Sequence, residues 1–210
     1  MELDLYNNEN IKKINVSRET YILLSDLKKA ILLKNKVINL ISRNTEKNFI
    51  QRHIIDCAQA IDFIDLNQNR CTDIGSGAGL PGLVLAIVLN GKNIKMKMNL
   101  YEKSYHKSKF LEKVVEKLKL DVTIFQKDIF KEKNLTSGTI VARAFKPLPI
   151  ILNLVEKKFL KYKNLIAYMG KNGKQLLQDS VQSWEFEYKE KRSLTSKDSF
   201  LVSIKNIKKK

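Results

Sequence analysis

Four glycines, Gly75, Gly77, Gly79 and Gly82, fall within eight positions, directly after Asp73. They are half of the eight glycines in the chain. Glycine has no Cβ, so this density marks a backbone brought close against a ligand. Residues 70–74 before the turn read as a strand, and residues 81–90 after it as a buried helix. Strand, glycine turn and helix build a nucleotide pocket at the carboxyl end of the first strand of a doubly wound α/β fold. Glu102 ends the second strand, where a carboxylate can accept both hydroxyls of an adenosine ribose. Asp128 closes the third strand. From there it, or the neighbouring backbone, reaches an adenine amino group while Ile129 and Phe130 wall the ring.

The kind of nucleotide follows from the turn. A dinucleotide fold aims the N-terminus of its first helix at a pyrophosphate. Here Leu80-Pro81 places a bulky side chain and a missing N–H at that entrance, and Asp73 repels phosphate. The same carboxylate suits an α-amino group, held directly or through water. S-adenosylmethionine is therefore the expected cofactor. Two histidines and two distant cysteines make no metal site. Cys57 and Cys71 are expected as buried thiols, His106 as solvated, and Trp184 and Phe186 as core of a terminal hairpin.

These residues need a frame of alternating elements. Residues 17–40 read as a helix capped by Ser17, with Leu23, Leu24, Leu27, Ile31 and Leu32 at helical spacing. A second helix is expected over 45–64, with Ile50, Ile54, Cys57 and Ile61 on one face. Residues 1–64 thus form an N-terminal helical cap on a domain spanning 65–210. Strands follow at 70–74, 96–101, 122–126, 139–143 and 165–169, with helices at 81–90, 106–118 and 147–161. Residues 185–189 and 200–204 alternate as a closing antiparallel pair. The expected fold is α/β, a Rossmann-like class I methyltransferase fold: a mostly parallel seven-stranded sheet with a terminal antiparallel hairpin.

Composition bounds the rest. The net charge is +17 over 210 residues, which favours a polyanionic partner through counterion release from phosphates. The longest apolar run, residues 80–89, is too short for a bilayer. The first ten residues lack a signal-peptide pattern. A cytoplasmic protein with no membrane partner is expected.

The run Asp73-Ile74-Gly75-Ser76-Gly77-Ala78-Gly79-Leu80-Pro81-Gly82 closely resembles the cofactor motif of the RsmG (GidB) family, bacterial 16S ribosomal RNA guanine-N7 methyltransferases. Asn39-Leu40, Arg52-His53-Ile54-Ile55-Asp56, Lys107 with Lys109-Phe110-Leu111, and Arg143-Ala144-Phe145 match in order, over about residues 20–204. The resemblance implies cofactor contacts at Gly75, Leu80, Ile129, Phe130 and Arg143. It also implies positioning roles for Arg52, His53 and Asp56 beside the donor or the RNA, and RNA contacts at Lys107 and Lys109. The family's lysine after the fifth strand is shifted by about two positions, to Lys171, and its arginine before the last strand is replaced near Ser199-Phe200. By their spacing alone, Arg52 and Asp56 also suit an i,i+4 surface ion pair, and His53 a core-edge histidine. Guanine N7 has a lone pair and no proton, so no general base is assigned. The partner so implied is 16S rRNA or the 30S subunit, acted on by a monomer. A basic ribosome-assembly factor without catalysis, or a methyltransferase with another nucleic-acid acceptor, are the alternatives.

Overall fold

The computed structural model describes residues 14–210. Ser17 Oγ accepts from Thr20 N–H at 3.2 Å and caps helix α1, Arg18–Asn35. The helix stops five residues short of the expected 40. Asn35 Oδ1 accepts from the N–H groups of Leu40 and Ile41, at 2.8 and 3.0 Å, and folds the chain back on itself.

The expected continuous helix over 45–64 is instead a composite. A 3-10 turn, Arg43–Thr45, precedes a π-helical segment, Ile50–Ile55, one α turn, Asp56–Ala58, and a 3-10 segment, Gln59–Phe63. The spacing of Ile50, Ile54, Cys57 and Ile61 is α-like, and each departure from it is too short to register as a change of period. The π-helical pairing sends Asp56 N–H to Gln51 O, five residues back. π-segments of this kind are often found at functional sites.

The strands are β1 (Arg70–Ile74), β2 (Lys97–Tyr101), β3 (Val122–Phe125), β4 (Leu135–Thr136), β5 (Thr139–Arg143), β6 (Phe159–Lys161), β7 (Asn164–Met169), β8 (Trp184–Arg192) and β9 (Phe200–Lys209). Between them run α2 (Gly82–Gly91), α3 (Tyr105–Leu118), α4 (Leu148–Lys158) and α5 (Gly173–Ser183). The seven-stranded sheet has the order β3-β2-β1-β5-β7-β9-β8. All its pairings are parallel except those of β9 with β7 and β8. This is the expected Rossmann-like methyltransferase topology. Two features lie outside the expectation. β4 and β6 pair in a small separate sheet, so the helix expected to reach 161 ends at Lys158. α5 precedes the hairpin.

Strand order reverses between β1 and β5, and ligand crevices open at the carboxyl ends of strands at such a switch point. α2 is buried on all sides from Gly82 to Leu89. A helix apolar all round must be covered on both faces. The sheet covers one face, and α1 with the segment Ile50–Phe63 the other, so Leu24, Leu27, Ile31 and Ile54 share one apolar cluster with Leu83, Ile87 and Met98. A second cluster, including Leu152, Val155, Leu177, Trp184 and Val202, fills the opposite face, with Phe186 packed at its margin. Cys57 and Cys71 are free thiols with no exposed surface. Burial pushes the Cys57 thiol up to about 12 and raises that of Cys71 as well.

Candidate active site

The glycine turn is held by its own N–H groups. Gly75 and Ser76 donate to Tyr101 O at the end of β2, at 2.9 and 3.0 Å. Gly77 donates to Glu102 Oε2 at 2.9 Å. Gly79 and Leu80 donate to Ser76 O, and Gly82 donates to Asp73 Oδ2 at 2.9 Å. The first N–H of α2 therefore already faces a carboxylate of this chain. A phosphate cradle needs such donors aimed outward, and here they point inward. Gly75 has φ +74°, and an ideal Cβ on it would lie 2.1 Å from Phe145 Cδ2, so both conformation and space demand glycine.

Asp73 is 1% exposed and lies beneath the turn rather than on a crevice wall. Its Oδ1 is buried without a hydrogen-bond partner. Burial pushes its carboxyl up to about 7, against the stabilising N–H of Gly82. Gly79 also lies behind the turn, where a Cβ would strike Leu83 and Leu111.

Above the turn opens a crevice of about 380 Å³. Gly75, Gly77, Leu80, Glu102, Asp128, Ile129, Phe130 and Arg143 all line it, from the ends of β1, β2, β3 and β5. Glu102 is fixed at both oxygens, since Oε1 accepts from Ser104 N–H at 2.7 Å while Oε2 takes Gly77. A carboxylate has about four acceptor sites, so two remain for a diol. Asp128 caps the 3-10 turn Ile129–Lys131, with Oδ1 accepting from Phe130 N–H at 3.1 Å.

Arg52, His53 and Asp56 do not line this crevice. They meet it through Arg143, whose Nε donates to Asp56 Oδ2 at 3.0 Å and whose Nη2 donates to Arg52 O at 2.8 Å. In an α-helix Asp56 N–H would bond Arg52 O. Its π-pairing with Gln51 O leaves Arg52 O to Arg143. The i,i+4 ion pair that spacing offered is thus not how Asp56 is used, and the Arg52 side chain is exposed. Asp56 Oδ1 also accepts from Gln59 Nε2 and Thr195 Oγ1, at 2.9 and 3.0 Å. The Arg143 guanidinium carbon lies 6.0 Å from the centre of the Tyr168 ring, and Tyr168 Oη donates to Cys57 O.

His53 is a buried core-edge residue. Thr45 Oγ1 donates its single proton to Ser42 O, so the 2.8 Å contact with His53 Nε2 requires Nε2–H to donate. Nδ1 then carries the lone pair that faces Arg143 Nη2 at 3.5 Å. Burial, reinforced by the charges of Arg143 and Arg52, pulls the imidazole down to about 4. This histidine is neutral and has both nitrogens engaged.

Lys107 lines the crevice. Lys109 does not, and pairs with Glu112 on the exposed face of α3. Lys171 borders a second crevice beyond β5. His106 is exposed. Sequence reasoning did not assign roles to Lys103, Lys127, Lys146 and Phe145, which also line the first crevice. The signal available was position, since each lies within three residues of a strand end that the reading had already placed.

The family model for rRNA small subunit methyltransferase G (GidB) matches residues 21–202. Ribosomal RNA small subunit methyltransferase G of Pelagibacter ubique (strain HTCC1062) is 50% identical over 212 residues, covering 100% of both chains. The protein of that name from Rickettsia rickettsii (strain Sheila Smith) is 34% identical, over 93% of this chain and 99% of its own. Among solved structures, M. capricolum TrmK with S-adenosyl-homocysteine superposes with a TM-score of 0.53 at 17% identity, covering 80% of this chain and 69% of that one. That likeness is one of fold, whereas the family match and the sequence relatives extend across nearly the whole chain. This chain belongs to the rRNA small subunit methyltransferase G (GidB) family.

Proposed function

We propose that this chain transfers the methyl group of S-adenosylmethionine to N7 of one guanine in 16S rRNA of the small ribosomal subunit. The observation that carries the reading is the inward-facing turn. The N–H groups of Gly75, Ser76, Gly77, Gly79, Leu80 and Gly82 are satisfied within the protein, and a buried carboxylate with an unpartnered oxygen sits beneath it. That arrangement disfavours a pyrophosphate and suits a ligand with a cationic amino-acid end. The residues present fit such a group: Glu102 for the ribose hydroxyls, Ile129 and Phe130 for the adenine faces, and Asp128 for its polar edge. Asp73 lies buried beneath the turn, below the amino-acid end, where a cationic group above it would favour its ionised form.

The donor supplies an electrophilic methyl on a sulfonium. The N7 lone pair forms the new C–N bond while the C–S bond breaks, and its electron pair stays on sulfur. No proton moves, so the chain needs no general base. Its part is to hold the base in line and keep water out, an orientational contribution. A neutral His53 with both nitrogens engaged fits that part, since it braces Arg143 instead of accepting a proton. Lys103, Lys107, Lys127 and Lys146 around the crevice favour flanking phosphates.

Calorimetry with S-adenosylmethionine and with a nicotinamide dinucleotide tests the ligand class: the first binds and the second does not. Transfer of labelled methyl to 30S subunits from a strain lacking the gene tests the acceptor. Failure of both would overturn the reading.

A further inference from the structure

Beyond β5 a second crevice of about 460 Å³ adjoins the first. Its apolar floor includes Ala142, Leu148, Ile151, Ala167 and Met169. Lys146 and Lys171 stand along it. The two crevices share Ala144, Phe145 and Lys146, so the Phe145 ring is the partition between them.

That ring is held in place at some cost. Ala144 has φ +49°, in the left-handed region that non-glycine residues seldom occupy and that concentrates at functional sites. The bend directs Phe145 back over Gly75, where only the absent Cβ leaves room for it. Its ring centre is 5.9 Å from that of Phe130, with planes 26° apart. Phe145 is only half-buried, at the margin of its apolar cluster, so part of the ring stays open to the crevices. A strained residue, a bare glycine and a partly exposed ring converge on one partition.

We propose that the second crevice receives the acceptor purine, with Phe145 as its stacking face and as the wall that sets how far N7 stands from the methyl donor. This rests on the reading under Proposed function and adds the place of the acceptor. A base must leave its own stack for its N7 edge to be reached, and RNA-binding proteins replace that stack with an aromatic side chain. An apolar floor accepts the ring, and Lys146 and Lys171 face the phosphates on either side. Arg143, one residue before Ala144, anchors the same segment to Asp56.

The test compares Phe145→Tyr, Phe145→Leu and Phe145→Ala on unmethylated 30S subunits. Loss of one stacked base lowers kcat/KM about ten- to hundredfold for Leu and Ala, while Tyr, which keeps the π face, recovers most of it. Because Phe145 also lines the donor crevice, S-adenosylmethionine affinity by calorimetry falls too, but by clearly less than kcat/KM in the Leu and Ala variants. In parallel, a short single strand of 16S rRNA sequence with 2-aminopurine in place of guanine is added to protein with S-adenosylhomocysteine. Wild type and the Tyr variant raise its fluorescence as the purine leaves its stacked neighbours, and the Leu variant gives little rise. A Leu variant as active as Tyr, a loss confined to cofactor affinity, or no rise with wild type would overturn the inference. A rise with a wild-type protein that methylates no 30S subunit would instead sink the proposed function and leave the base site standing.

Discussion

Arg143 and Asp56 stand 87 residues apart in the chain, yet Arg143 Nε donates to Asp56 Oδ2 across 3.0 Å. The pair joins the crevice wall at the end of β5 to the α turn that follows the π-helical segment. Both side chains are less than one-fifth exposed. Breaking a fully buried pair costs about 3–5 kcal/mol because one charge is left uncompensated. With this partial exposure, Asp56→Asn is expected to cost about 1–3 kcal/mol. Denaturant unfolding measures the loss, and weaker S-adenosylmethionine binding accompanies it. A variant with unchanged stability and affinity would show that the pair couples nothing.

Gly75→Ala brings a Cβ against the Phe145 ring at φ +74°. The expected penalty is about 1–3 kcal/mol of stability, with cofactor affinity reduced more than tenfold. Adding Phe145→Ala removes the clash but not the backbone strain. The double variant should therefore recover part of the stability, and a strictly additive cycle would contradict the contact.

Glu102→Gln replaces one acceptor oxygen by an NH₂ that must face either Gly77 N–H or Ser104 N–H. Either choice leaves a donor opposed to a donor, at about 1–3 kcal/mol. Thermal unfolding and cofactor titration should both register it. If only stability moved, Glu102 would brace the turn without touching the ligand.

Two buried groups oppose each other as pH changes. Asp73 has its pKa raised from 3.8 to about 7. The folded protein keeps a proton there that the unfolded chain loses, so stability falls as pH rises from 4 through 7. His53 is lowered from 6.5 to about 4. The unfolded chain gains a proton that the fold refuses, so stability falls as pH drops from 6.5 toward 4. In the window between, the two slopes offset each other in the wild type. His53→Gln should expose the Asp73 slope as a steady loss with rising pH, followed by unfolding at pH 4.5, 5.5 and 6.5. Parallel profiles for the two proteins would refute the assignment.

The parts of this fold that were legible in sequence are those whose signal is local. β1 and β5 match the expected spans 70–74 and 139–143, and Ser17 caps α1 as read. The glycine turn that ends β1, the apolar Ile140-Val141-Ala142 of β5 and a single capping side chain set these. The composite helix is not legible because each π or 3-10 stretch spans only a turn or two, too short for its different period to register. β4 and β6, of two and three residues, are too short for alternation to register. α5 went unseen because Gly173, Leu177 and Ser180 are its only buried residues. At the site, the strand-end residues were legible because the topology puts them there. That Asp73 and Gly79 stand behind the turn, and that Phe145 stands between two crevices, depends on contacts between distant segments. No spacing records those contacts.

The most direct measurement is mass mapping of the methyl group after purified protein, S-adenosylmethionine and unmethylated 30S subunits are combined. One N7-methylguanosine per 16S rRNA, at a single nucleotide, is the result expected. No transfer to 30S subunits or to 16S rRNA at any magnesium concentration, or methyl groups on another atom or another molecule, would contradict the account.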